Sequence, residues 1–121
     1  MKCLTTKEEE IMSFFWTKKV LFIKELTEMY SKPKPHFNTL STYVRSLERK
    51  GFLGHEVFGR SYRYFTIIDK ERYRNEMLRN IIQKYFDNSY SKIILLFIQN
   101  KNITVNELNK ILDEIEFVNC P

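Results

Sequence analysis

The sequence predicts a mostly α-helical chain carrying one small β-hairpin, with one compact part over residues 1–68 and a purely helical part over 69–121. Three observations predict this. Apolar residues recur at helical spacing in three segments before residue 50. Two segments rich in β-branched and aromatic residues then flank a glycine. From Asp69 onward, every apolar segment returns to helical spacing. With 121 residues, 43% of them hydrophobic, the chain can bury a core without disulfides or metal.

The first helix begins at Thr5 or Thr6. Either can cap it, with Glu8 or Glu9 three residues on to close a capping box. Glu8, Glu9 and Glu10 suit the positive end of the helix dipole. Ile11, Phe14 and Phe15 carry the apolar face to about Trp16, and Lys18-Lys19 form a short connection. A second helix is expected over Phe22–Tyr30, where Phe22, Ile23, Leu26, Met29 and Tyr30 make one stripe. Pro33 and Pro35 forbid helix in the next few residues.

The third helix is expected from Phe37 to Lys50. Leu40, Leu47 and either Tyr43 or Val44 point inward, and Gly51 follows as the C-terminal glycine. Strands over Phe52–Phe58 and Tyr62–Ile68 surround a Gly59-Arg60-Ser61 connection. Three helices followed by a hairpin is the order of a winged helix-turn-helix. Beyond it come a helix from Asp69 to about Asn88, an apolar segment over Ile93–Ile98, and a helix capped by Thr104 that runs through Ile115. These three pieces are too short and too apolar to close a core among themselves. Burial against a second copy is therefore expected, through Tyr73, Met77, Ile81, Tyr85, Ile94, Phe97, Leu108, Ile111, Leu112 and Ile115.

The net charge of +5 resides entirely in the first part. Residues 1–68 hold 12 basic and 7 acidic side chains, while residues 69–121 hold eight of each. Between Lys32 and Arg63 seven cations face only Glu48 and Glu56. Such asymmetry favours a polyanionic partner. The third helix offers matching chemistry. Its N-terminal half carries Asn38, Thr39, Ser41 and Thr42, which can read base edges in a major groove, Asn by a bidentate pair with adenine and Thr by its methyl against thymine. Arg45, Arg49 and Lys50 would lie nearer the phosphates, and Arg60 and Arg63 on the hairpin would reach the neighbouring backbone or minor groove. The expected partners are therefore double-stranded DNA and a second copy of the chain. Tyr62, Tyr64 and Phe65 could stack on single-stranded bases, but aromatics on a half-buried hairpin are more often packing residues.

Other chemistry finds little support. Cys3, His36, His55 and Cys120 lack ligand spacing, so no metal or cofactor is expected. There is no glycine-rich phosphate loop and no nucleophile with a nearby base, which argues against an enzyme. The opening MKCLTTKEEE lacks the apolar stretch of a secretion signal, and the run Ile93–Ile98 is far too short for a membrane span, so a cytoplasmic location is expected.

The stretch from Leu4 through Trp16, and that from Asn38 through Phe52, resemble the penicillinase-repressor group. Thr39, Thr42, Leu47, Lys50 and Gly51 fit the pattern of the group's recognition helix. The resemblance covers nearly the whole chain and implies a homodimeric bacterial repressor on a palindromic operator. In its β-lactam branch it implies release through a sensor-linked protease that cuts an Asn-Phe bond in the dimerisation helices. The matching bond here is Leu96-Phe97, with Leu96 where that branch has Asn. In its copper branch it implies a C-x-C pair near the C-terminus, where this chain has Cys120 alone. Two alternatives stay open: a winged helix that binds an acidic protein without reading DNA, and a metal-responsive regulator.

Overall fold

The computed structural model describes residues 3–119, with side chains described as far as residue 114. The chain forms two compact units, the first running to Met77 and the second starting at Leu78.

In the first unit, α1 (Thr6–Lys18), β1 (Val20–Phe22), α2 (Ile23–Glu28) and α3 (Phe37–Arg49) precede the hairpin of β2 (Leu53–Phe58) and β3 (Ser61–Thr66). The start of α4 (Lys70–Phe86) completes it. Together with the helices that follow the wing, this is a winged helix-turn-helix with a helical C-terminal part, as the sequence predicts. Thr5 caps α1: its Oγ1 accepts from the Glu8 amide at 3.2 Å, and its own amide donates to Glu8 Oε1 at 2.9 Å. Ile11, Met12 and Phe15 of α1 meet Leu26 of α2, Leu40, Val44 and Leu47 of α3, and Phe52, Leu53 and Tyr64 of the sheet in one core. Of the two residues offered for the inward position on α3, Val44 is fully buried and Tyr43 packs at the core's edge.

Three details differ from the sequence reading. The sheet has three antiparallel strands in the order β1-β3-β2, because Val20–Phe22 pairs with Arg63–Phe65. Phe22 thus belongs to a strand, and α2 is only six residues long. The apolar stripe that suggested a longer helix mixes a strand end with a helix face. Secondly, the hairpin turn has two residues rather than three, since Ser61 pairs directly with Phe58. Gly59, at φ 59°, takes the first central position, where primed hairpin turns require a left-handed backbone. Thirdly, Tyr73 and Met77, expected at a dimer interface, are used inside the first unit. Tyr73 is a buried member of its core and Met77 packs against that core.

The N-terminal turns of α4 are fastened to α1. The Tyr73 hydroxyl donates to Glu9 Oε2 at 2.6 Å, and the Trp16 indole donates to the Ile68 carbonyl at 3.0 Å. The Tyr73 ring also lies against Trp16 and Phe52. Burial, followed by the Glu9 carboxylate, pushes the Tyr73 phenol up to about 12, so it remains a donor across the ordinary pH range.

The second unit holds the rest of α4, α5 (Tyr90–Gln99) and α6 (Val105–Asn119). Ser89 caps α5, and the Thr104 Oγ1 accepts from the Glu107 amide at 3.1 Å. Among its described residues Ile82 is the one buried apolar side chain, and α5 has none.

A cross-strand pair fixes the wing's packing. Gly54 faces Phe65, and a Cβ at Gly54 would lie 2.6 Å from the Phe65 ring. Gly54→Ala should therefore cost about 1–3 kcal/mol in urea denaturation. Combining it with Phe65→Leu should cost less than the sum of the two single changes, because the smaller side chain relieves the clash.

Candidate nucleic-acid interface

The placement of α3 begins with a buried charge. Glu8 is 2% exposed, on the side of α1 that meets α3. Its carboxylate accepts from Lys50 Nζ at 2.7 Å, Ser46 Oγ at 2.8 Å and the Thr5 amide at 2.9 Å. Burial alone would raise its pKa, but the Lys50 ammonium and the Thr5 and Ser46 donors outweigh that and hold it at about 2. Lys50 was expected near phosphate. Its ammonium is instead committed to Glu8, which pins the C-terminal end of α3 to the N-terminal turn of α1.

The opposite end of α3 is set by His36, whose Nδ1 accepts from the Asn38 amide at 3.1 Å. This role requires the tautomer with Nδ1 unprotonated. Residue type alone carries no sign of it, since Ser, Thr, Asp and Asn are the usual caps.

Between these anchors α3 shows one exposed stripe: Asn38, Thr42, Arg45 and Arg49, with Thr39 beside it at the N-terminal end. The spacing of four, three and four keeps them on one side of the helix. Thr42 donates its hydroxyl proton to the Asn38 carbonyl at 3.0 Å, so outward it offers a methyl group and oxygen lone pairs. Ser41, expected on the same face, is only 7% exposed. It lies between Phe37 and Arg45 on an adjacent face, where these three residues line a cleft toward α2 and the wing.

The wing contributes Arg60 at its tip, exposed and in none of the ion pairs among the described residues. Arg63 is more constrained. It donates to Glu56 at 3.0 Å and lies 4.4 Å from the centre of the Phe58 ring. The wing is also tied to α3, because His55 Nδ1 contacts Glu48 Oε2 while the imidazole stacks on Tyr62 at 4.5 Å. Of the aromatics weighed for base stacking, Tyr64 is buried in the core and Phe65 covers Gly54, which leaves Tyr62 as the exposed ring. Among the described residues no three His, Cys, Asp or Glu side chains gather into a metal-binding cluster. Cys120 lies outside the described residues. No described helix is long and apolar enough to cross a membrane.

A helix held at both ends with a polar and cationic stripe outward, flanked by a basic-tipped wing, defines a protein of the winged helix-turn-helix class. The penicillinase-repressor family model matches residues 4–116, and the chain belongs to that family, whose members are repressors and not enzymes. It is 25% identical over 115 residues to the penicillinase repressor of Bacillus licheniformis, covering 92% of this chain and 90% of that one. It is 19% identical over 109 residues to the methicillin resistance regulatory protein MecI of Staphylococcus aureus (strain N315), covering 89% of each chain. The Staphylococcus epidermidis protein of the same name matches to the same extent.

The Glu8 network has a measurable signature. Its carboxyl is held below its ordinary value of 4.5, so its contribution to stability is complete above pH 4.5 and is lost as pH falls toward 2. A shift of this size corresponds to about 3 kcal/mol as an upper bound. Glu8→Gln should lower stability at pH 7 by about 2–3 kcal/mol. In denaturation curves taken at successively lower pH, the gap between the two proteins should close below about pH 4.

Proposed function

We propose that the chain is a homodimeric, sequence-specific repressor that binds a palindromic operator in double-stranded DNA, in the cytoplasm where that DNA is found. The observation that carries this reading is the exposed stripe on α3, fixed at both ends and bordered by exposed cations on the helix and the wing tip. Asn38, Thr39 and Thr42 lie at the N-terminal end, the part of a recognition helix that meets base edges. The Asn38 amide suits adenine and the Thr42 methyl suits thymine. Arg45, Arg49 and Arg60 supply phosphate contacts around that core, with Arg63 a stiffer contributor. Ser41 and Lys50 are left out of the contact set, the first for burial and the second for its bond to Glu8. Family membership and the names of the relatives support repression as the outcome.

Dimerisation is supported by the apolar surface of the second unit. Tyr85 is 68% exposed and Leu95 55%, and Ile81, Ile94, Phe97, Ile111 and Leu112 are also exposed in a single copy, with Leu108 half-buried. So many exposed apolar side chains are costly in water and are satisfied most simply by the same surface of a second chain. The Ile115 side chain, expected in the same interface, lies outside the described set. Two recognition helices related by a two-fold axis would then match a dyad in the operator.

Release by a sensor-linked protease at Leu96-Phe97 belongs to this proposal through the family resemblance. The bond lies inside α5, where the Leu96 carbonyl accepts from the Asn100 amide at 3.0 Å. Cutting there requires that the helix first open locally. It would divide the surface that the dimer uses.

Two expectations follow. In fluorescence anisotropy with a selected duplex over a salt series, Asn38→Ala should lose about 1–3 kcal/mol of discrimination at one base pair. Arg49→Ala should weaken all sequences alike and reduce the salt slope by about one, whereas Lys50→Ala should lower stability and leave that slope unchanged. In analytical ultracentrifugation, Phe97→Asp should shift the chain from dimer to monomer. A wild-type chain that stays monomeric at every concentration would contradict the dimer.

A further inference from the structure

The first unit contains a concave site that the DNA reading does not use. A cleft of about 610 Å³ opens between the start of α2, one face of α3 and the wing. Its volume is in the range of small-molecule sites. Its walls combine two chemistries. Phe22, Phe37 and Tyr62 supply aromatic surface, and Phe37 and Tyr62 are half exposed at its rim. Lys24, Arg45 and Arg60 supply positive charge, and none of them joins an ion pair among the described residues. The single carboxylate in the lining, Glu25, is already engaged, accepting from the Phe22 amide at 2.8 Å. The hydroxyls of Ser41 and Ser61 lie in the same lining.

Three cations against one engaged carboxylate select an anion, and the aromatic walls select a flat apolar body attached to it. A phosphodiester backbone would use the cations but gains nothing from the aromatic rings of Phe22, Phe37, Tyr62 and Tyr64 in a concave wall. We propose that this cleft binds a small aromatic carboxylate, and that its occupation excludes DNA. Exclusion rests on the DNA reading above. It follows because Arg45 and Arg60 serve both sites, so a carboxylate that holds their guanidinium groups removes them from phosphate. By linkage, a ligand that binds only the free protein weakens duplex binding in proportion to its own occupancy.

The test uses the full chain, 15N-labelled and free of DNA, titrated with 2-naphthoate and separately with the neutral 2-naphthamide. The expected result is saturable amide shifts concentrated at Ser41, Arg45, Ser61 and Tyr62, with the amide binding at least about tenfold more weakly. Lys24→Gln should weaken 2-naphthoate several-fold while leaving the spectrum of the core unchanged. Equal binding of the two compounds, shifts confined to residues 78–114, or no saturable shift up to about 10 mM would overturn the site. A second arm adds 2-naphthoate to a labelled duplex complex at constant ionic strength. Displacement in step with occupancy supports exclusion, and unchanged duplex binding with the cleft filled refutes it. If the protein binds no duplex at all, the DNA reading fails, and the titration without DNA still decides the cleft.

Discussion

Glu8 carries a charge that cannot be left alone where it lies. A carboxylate with 2% of its residue surface in contact with solvent must either take up a proton or be surrounded by donors, and here Lys50, Ser46 and Thr5 surround it. These partners come from two helices: Thr5 caps α1, whereas Ser46 and Lys50 lie at the C-terminal end of α3. The geometry that satisfies the charge therefore also fixes where α3 crosses α1. Apolar packing among Ile11, Phe15, Val44 and Leu47 would tolerate small slides of one helix along another, but a hydrogen-bonded charge network is less forgiving. The outward stripe of α3 inherits that precision, and so does any chemistry built upon it.

The wing depends on the same helix. His55 and Glu48 connect the second strand to α3, while Thr66 on the third strand donates to the Phe15 carbonyl at 3.1 Å beside the end of α1. Phe65 lies over Gly54 and closes the two long strands against one another. Arg60 is thus carried on a short turn whose base is fastened at several points. The cleft between wing and α3 exists because Ser41 is small: the Phe37-Ser41-Arg45 face leaves room that a larger residue at the middle position would fill. The second unit follows different physics. Its helices present apolar residues outward along α5 and α6, and its stability is tied to whatever covers them.

Much of this was legible in the sequence, and the failures have physical causes. A capping box at the start of α1, the inward positions Leu40 and Leu47, and the wing strands follow from local pattern, whereas the choice of Thr5 over Thr6 as cap and of Val44 over Tyr43 as the buried residue needed the fold. The short strand Val20–Phe22 was hidden because three residues carry no period of their own, and its evidence is the partner strand more than 40 residues away. Lys50 looked like a phosphate contact because a cation before a terminal glycine also suits a helix dipole. Only the fold shows that Glu8, the first of the three glutamates, is buried and meets it. Ser41 was grouped with Asn38 and Thr42 by polarity, yet its position on the helix turns it toward the cleft. Tyr73 reads as an interface residue because its helix leaves the wing, while its ring fills the space beside Trp16 and Phe52. The exposed polar and cationic stripe of α3 emerged from residue type and spacing, and the fold removed Ser41 and Lys50 from it without moving its centre.

The claim at the centre of this account is that α3, held by Glu8 and His36, presents a stripe that reads a two-fold symmetric DNA site. The most direct test is selection from a random duplex pool with the purified full chain at near-physiological salt. The account predicts enrichment of a palindromic sequence whose half-sites lie about one helical turn, or a multiple of it, apart. A pool that emerges with no enriched sequence, although the protein is folded and dimeric, would contradict it and leave the basic face to a partner other than DNA.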